Sequence, residues 1–385
     1  MFGLEGGVLA GVTIGPSPLL KINQSPKRYM SMDRNNTAQL QLFEFWHSQS
    51  SSKSYITKVH LSRASQPGKR DLLSDWRQEE QSALCPYSLH IQGSVMAEEA
   101  KQTCYEGSSV QSFQFYLEHS GEHEAILKCA HNLLPGEFQR IAAGKSSLDV
   151  LGVGSGGGEV DAQMLTLLQS TLPAVPVTAD IVEGSAALTD NFKALVAKTA
   201  TLQKIQFVWH VMGSEDYEKQ VRAKGDMKKF DFIHMIQMIY YVDNLSSTIK
   251  FYQSLLKNNG KLMIIVEAAD GGWDKLWKTF KKELCTGAIT EYRSSAEVIA
   301  CVKSLGLKYE EHVISNTFDI TECFNPSSTN GGRLLNFMTA QDHFYQSFTP
   351  EIRAGMLDLL RNKCSTEKDG RVFFNSNLSC ILIHA

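Results

Sequence analysis

The residues with the clearest capacity for chemistry begin at Leu148-Asp-Val-Leu-Gly-Val-Gly154-Ser-Gly156-Gly-Gly158-Glu159, where an apolar run breaks into glycines and a helical pattern follows. Glycine permits a tight turn and lets backbone N–H groups approach a ligand closely. Gly152-x-Gly154-x-x-Gly157 also fits the dinucleotide fingerprint, so the glycines point to a nucleotide without selecting which one. The next apolar run, Thr178-Ala-Asp-Ile-Val-Glu183, ends in a carboxylate placed to accept two hydrogen bonds from a ribose diol. Nicotinamide dehydrogenases and methyltransferases both use such an acid. Further on, Ser214-Glu-Asp216 offers polar groups for the edge of an adenine ring.

The stretch Phe230-Asp-Phe-Ile-His-Met-Ile236-Gln237-Met-Ile-Tyr240-Tyr241 separates these two chemistries. A hydride-transfer pocket needs a general acid, usually His or Lys. This tip instead carries an amide and two phenols. Such groups suit holding a neutral nucleophile against a methylsulfonium, because aromatic faces attract cations. Lys261-Leu-Met-Ile-Ile-Val-Glu267 then leads into Gly271-Gly-Trp273-Asp-Lys-Leu-Trp277, and Trp273 is a candidate for lining the pocket. His119, His123 and His234 read as structural. The eleven histidines and eight cysteines are scattered without metal-ligand spacing, so no metal is expected and the thiols read as reduced.

These residues need a scaffold, and the surrounding pattern supplies one. Strands are expected at Leu148–Val153, Val177–Val182, Ile205–His210, Phe230–Met235, Lys261–Val266, Tyr309–Ile314 and Leu378–Ile383, with helices between them such as Glu159–Gln169 and Leu245–Leu256. The alternation predicts an α/β, Rossmann-like domain: a mostly parallel seven-stranded sheet with an antiparallel edge strand, helices on both faces and a helical N-terminal cover. Residues 1–95 have a different texture. They hold five of the ten prolines, serine-rich stretches and little apolar periodicity apart from Leu40–Trp46. They are expected to be a largely disordered extension, with the folded domain running from 96 to 385. A net charge of −3 gives no pull toward nucleic acid or anionic membrane. No apolar stretch reaches the roughly eighteen residues of a membrane span, and Met1–Ala10 lacks the basic start of a secretory signal. A cytoplasmic monomer acting on a small molecule is expected.

Residues 96–385 resemble the histamine N-methyltransferase family, which includes the carnosine N-methyltransferases. The stretches that carry the likeness are Glu118-His-Ser-Gly-Glu-His123, Gly154–Asp161, Leu195–Thr199, Asp231–Met238, Gly272–Trp277, Leu305–Tyr309 and Asn375–Ser379. The resemblance implies S-adenosylmethionine-dependent methylation of an imidazole nitrogen in a histidine-derived small molecule. It implies cofactor contacts at Gly154, Glu183, Ser214 and Ile236, and substrate-binding polar groups at Glu122, Gln237 and Asn377. Tyr240, Tyr241 and Trp273 join them as candidate lining. No catalytic base is expected, since neutral imidazole is already a nucleophile and positioning suffices. The chain departs from the family at Leu188, where a glutamine commonly reaches the cofactor, at Gly184, which replaces a proline, and at Ser109, which replaces a tyrosine near the substrate. The smaller Ser109 opens room and favours carnosine over histamine. Glu122 also has an ordinary reading as a charge at a helix start.

Overall fold

The computed structural model describes residues 41–44, 57–60 and 108–385 apart from 226 and 288; for 41–44, 57–60 and 108–110 it describes the backbone alone. The chain divides into two units, Met1–Val95 and Met96–Ala385. In the first, β1 (Gln41–Glu44) pairs antiparallel with β2 (Thr57–His60). β1 falls within the apolar run Leu40–Trp46. The expected disorder of residues 1–95 otherwise lies outside the described residues.

In the second unit two helices, α1 (Ser108–Ser120) and α2 (Glu122–Ala142), precede the alternating elements. These are β3 (Leu148–Val153), α3 (Glu159–Thr171), β4 (Val177–Glu183), α4 (Ala186–Lys198), β5 (Gln206–Val211), α5 (Ser214–Lys224), β6 (Phe230–Ile236), α6 (Leu245–Ser254) and β7 (Leu256–Glu267). There follow α7 (Gly272–Thr279), α8 (Lys281–Leu284), α9 (Ser295–Ser304), β8 (Tyr309–Ile314), β9 (Thr317–Asp319), α10 (Thr329–Met338), α11 (Phe344–Ser347), α12 (Pro350–Asn362), β10 (Ser365–Lys368), β11 (Arg371–Asn375) and β12 (Leu378–His384).

Seven strands form one sheet in the order β5-β4-β3-β6-β7-β12-β8. β3 to β7 pair in parallel, while β12 runs antiparallel to both of its neighbours. The expected mostly parallel sheet with its antiparallel strand is present, and that strand lies one place in from the edge, between β7 and β8. Alternate residues along each strand serve opposite faces. Val150, Ile181, Phe232 and Met263 pack with α2 and α3. Leu151, Val182, Ile233 and Ile264 pack with α6 and α9 on the other side. Strand order reverses at β3, which has β4 on one side and β6 on the other, so the loops at the carboxyl ends of these strands flank a crevice.

A second sheet, β10-β11-β9, was not anticipated from the pattern. Its strands are three to five residues long, too short to show a period. With α10 and α12 it builds a third, aromatic-rich core around Tyr116, Trp273, Trp277, Tyr292, Phe318 and Phe374. Apart from the residues of α1, this core gathers residues that follow β7.

Candidate active site

The glycine-rich loop leaves β3 through Gly154, whose N–H donates to the Val182 carbonyl of β4 at 2.8 Å. Gly154 and Gly158 lie at φ +68° and +80°, the left-handed region where a side chain is strained. Both positions are also crowded. A Cβ at Gly154 would stand 2.7 Å from Met238 Cβ, and one at Gly158 would overlap the Phe192 ring at 2.1 Å. Between them the Gly156 N–H donates to Glu183 Oε2 at 2.8 Å, and the Ser185 N–H donates to Oε1 at 2.8 Å. Each carboxylate oxygen keeps acceptor capacity for a diol. Ser214 opens α5, with its hydroxyl 3.0 Å from the Tyr252 hydroxyl. Ile236 ends β6 half-buried against the α2–α3 core. The four residues expected at a nucleotide thus stand at the carboxyl ends of β3, β4 and β6 and just beyond β5. Below the loop, buried His234 of β6 and Asp161 of α3 are joined at 2.6 Å. The pair links α3 to β6.

Beyond β6 several polar side chains lie buried or half-buried close to one another. Gln237 adopts φ +53°. Its Nε2 donates to Glu267 Oε1 at 2.8 Å, and its Oε1 accepts the Tyr240 hydroxyl. The turn carrying Tyr240 and Tyr241 is braced by buried Arg293, which donates to the carbonyls of Ile239, Val242 and Asp243 at 3.0, 2.5 and 3.2 Å. Tyr241 stands edge-on to Tyr240, at 5.7 Å between centroids. Glu122 is only 5% exposed and accepts the Tyr116 hydroxyl at 2.5 Å, and no side-chain cap is formed at the start of α2. Glu122 thus stands in the first turn of α2, as its helix-start reading has it, with its carboxylate bonded to Tyr116. Trp273 sets an edge against Tyr116 at 5.8 Å. Asn377 precedes β12; its Oδ1 accepts the Asn316 N–H at 3.0 Å, and Asn316 Nδ2 donates to the Ser120 carbonyl at 3.0 Å. That link ties Asn377 to the turn that delivers Glu122.

Two carboxylates share this space, Glu122 and Glu267, the second only 6% exposed. Burial, and then the Glu122 charge, push the Glu267 carboxyl well above the usual carboxylate range, against the Gln237 hydrogen bond. Burial also raises Tyr116, Tyr240 and Tyr292, and the Glu267 charge adds to each shift. All three phenols are neutral hydrogen-bonding groups at physiological pH.

The methyltransferase-domain family pattern matches residues 115–312. The histamine N-methyltransferase of Danio rerio is 39% identical over 275 residues, covering 71% of this chain and 94% of the relative. That of Bos taurus is 36% identical over 277 residues, covering 72% and 95%. The carnosine N-methyltransferase 2 of Gallus gallus is 38% identical over 274 residues, covering 71% and 85%. The chain belongs to the histamine N-methyltransferase family. It is an S-adenosylmethionine-dependent methyltransferase.

The loop fits that cofactor. Its glycines keep the approach to the backbone clear, and the backbone N–H bonds on Glu183 preset a carboxylate with free acceptor sites. Leu188, where other members of the histamine N-methyltransferase family commonly carry a glutamine, lies in the first turn of α4, its N–H capped by the Ser185 hydroxyl at 3.3 Å. Gly184 faces Gly213 of the neighbouring loop, with room for a Cβ at 3.8 Å. The Ser109 side chain lies outside the described residues. Sequence reasoning missed Glu267, Tyr116 and Tyr292 as members of the buried polar cluster. A signal existed for the first, since Glu267 ends an apolar strand just as Glu183 does. Tyr116 reads as one more member of a helical apolar face, and nothing local distinguishes Tyr292.

Proposed function

We propose that this methyltransferase acts on an imidazole nitrogen of a small, ammonium-bearing, histidine-derived molecule, with histamine as the first candidate and carnosine as the second. The observation that carries the reading is the cluster of buried polar side chains after β6 and β7. Two buried carboxylates, an amide and a tryptophan face one space there. Gly154, Glu183, Ser214 and Ile236 would hold the cofactor, which supplies a methyl group made electrophilic by its sulfonium. The remaining work belongs to the chain. Glu122 pairs with the substrate ammonium, Gln237 and Asn377 orient the ring, and the aromatic side chains exclude water. Neutral imidazole needs no base to become nucleophilic.

Charge and size pull the choice of substrate apart. Serine in place of a tyrosine at position 109 would give room that favours carnosine, an effect of about 1–3 kcal/mol for a pocket of altered volume. Carnosine also adds a carboxylate, which would be repelled if it lay near Glu122 and Glu267, and like-charge juxtaposition costs roughly several kcal/mol. That repulsion outweighs the gain in room, so histamine is favoured. The enzyme is further proposed to work as a cytoplasmic monomer. The test is methyl transfer to histamine and to carnosine side by side, with product followed by mass spectrometry. Histamine should show the higher kcat/KM by about tenfold or more. A higher value for carnosine would reverse the order, and no methylated product from either would sink the imidazole reading.

A further inference from the structure

We propose that Glu267 is a positioning residue for the transfer: its ionised carboxylate fixes the Gln237 amide so that the amide oxygen meets the ring N–H of the substrate. The inference rests on the imidazole reading above. A primary amide has nearly the same shape either way round, so its partners decide its orientation. Here the carboxylate decides it, and the Tyr240 hydroxyl, which can donate or accept, follows. The carboxylate of Glu267 only accepts and draws Nε2 to 2.8 Å, while the Tyr240 hydroxyl donates to Oε1. One lone pair of Oε1 remains for a ring N–H. Holding the proton on one ring nitrogen leaves the lone pair of the other to take the methyl group as its bond to sulfur breaks, and the methylated ring then gives the held proton to water.

A second observation points to a ligand at this place. Glu267 Oε2, Trp273 Nε1 and the Tyr292 hydroxyl are buried and have no hydrogen-bond partner among the described residues. Their residues are 6%, 7% and 8% exposed. Buried polar groups are rarely left unpaired, and a polar substrate would complete them. The groups facing Glu267 are Glu122 from α2, Tyr116 from α1, and Tyr240 and Tyr292 from the loops after β6 and α8. The three phenols are raised by burial and stay neutral, and Glu122 is the neighbour whose charge raises Glu267. An ammonium set against Glu122 relieves its repulsion of Glu267 and favours the ionised form. Once protonated, Glu267 becomes a donor, the amide is released to turn, and its N–H competes for the nucleophilic lone pair. Substrate charge and ring orientation are thereby coupled through two carboxylates.

The experiment compares kcat against pH, with histamine and cofactor saturating, for the unaltered chain, Glu267→Gln and Glu122→Gln. The active form is ionised, so kcat rises with pH through the Glu267 titration. Glu267→Gln should abolish that limb and lower kcat by about ten- to a hundredfold, with KM changed less than about threefold and cofactor affinity unchanged by titration. Glu122→Gln removes a like charge, lowers the pH at which Glu267 titrates and moves the limb to lower pH, whatever its effect on rate. A Glu267→Gln enzyme with unaltered kcat and limb overturns the role, as does a limb that Glu122→Gln leaves in place. If Glu267→Gln fails to melt cooperatively, the shift in Glu122→Gln decides alone. No product from the unaltered chain would overturn the imidazole reading and this role together; product with an unchanged variant profile would overturn Glu267 alone.

Discussion

The two sides of the crevice are built from different material. On the nucleotide side, backbone does most of the work: left-handed glycines, N–H groups of Gly156 and Ser185, and one carboxylate they hold in place. On the side beyond β6, side chains from distant segments do it, with Tyr116, Glu122, Gln237, Tyr240, Glu267, Trp273 and Asn377 brought in from six elements or loops. The first arrangement is a local consequence of chain geometry and tolerates most side-chain changes. The second depends on the whole fold and is open to retuning one residue at a time. A family that keeps its donor while changing its acceptor would be expected to divide its site in this way.

That contrast can be broken at its one weak point on the nucleotide side. Glu183→Ala should weaken S-adenosylmethionine binding by about 1.5–3 kcal/mol, the scale of charge-assisted hydrogen bonds. Calorimetric titration measures it directly, while KM for the amine at saturating cofactor should move little. Unchanged cofactor affinity would remove Glu183 from the site; equal losses for both ligands would erase the division. A smaller effect sharpens the other side. Ser109→Tyr should move the histamine-to-carnosine ratio of kcat/KM toward histamine by about 1 kcal/mol, or roughly fivefold. A ratio that does not move would mean that residue 109 does not touch the ligand.

The same contrast explains what could be read without coordinates. All seven strands of the main sheet were legible, because β3, β4 and β6 are continuous apolar runs bounded by glycine or polar turns. The glycine loop and Glu183 were legible for the same reason, as their geometry follows from residues close in sequence. The pairing of Glu122 with Tyr116, six residues earlier but across the break at Gly121, was not. Neither was the link from Gln237 to Glu267, thirty residues apart. Both bonds exist because α1, β6 and β7 deliver their ends to one space, a tertiary fact with no periodic signature. Arg293 is similar: a cation buried by three backbone carbonyls looks, in sequence, like any surface arginine.

The smallest expected effect concerns the segment before either side begins. Every residue assigned to nucleotide or amine lies after Met96, and the hydrogen bonds that position them run among residues 115–377. The aromatic core that seats Trp273 draws on α1, α7, α10 and α12, all within the same unit. Residues 1–95 carry too little apolar periodicity to offset their own ordering entropy, at about 1–2 kcal/mol per residue, so they are proposed to add nothing to this core. A chain starting at Met96 should therefore express as folded protein, melt cooperatively and keep kcat and both KM values within about twofold. Thermal melting and a steady-state assay on the shortened chain measure this. Loss of soluble protein would mean that the first segment packs on the domain. A selective rise in KM for the amine, with cofactor affinity kept, would instead place part of that segment on the side-chain-built half of the crevice.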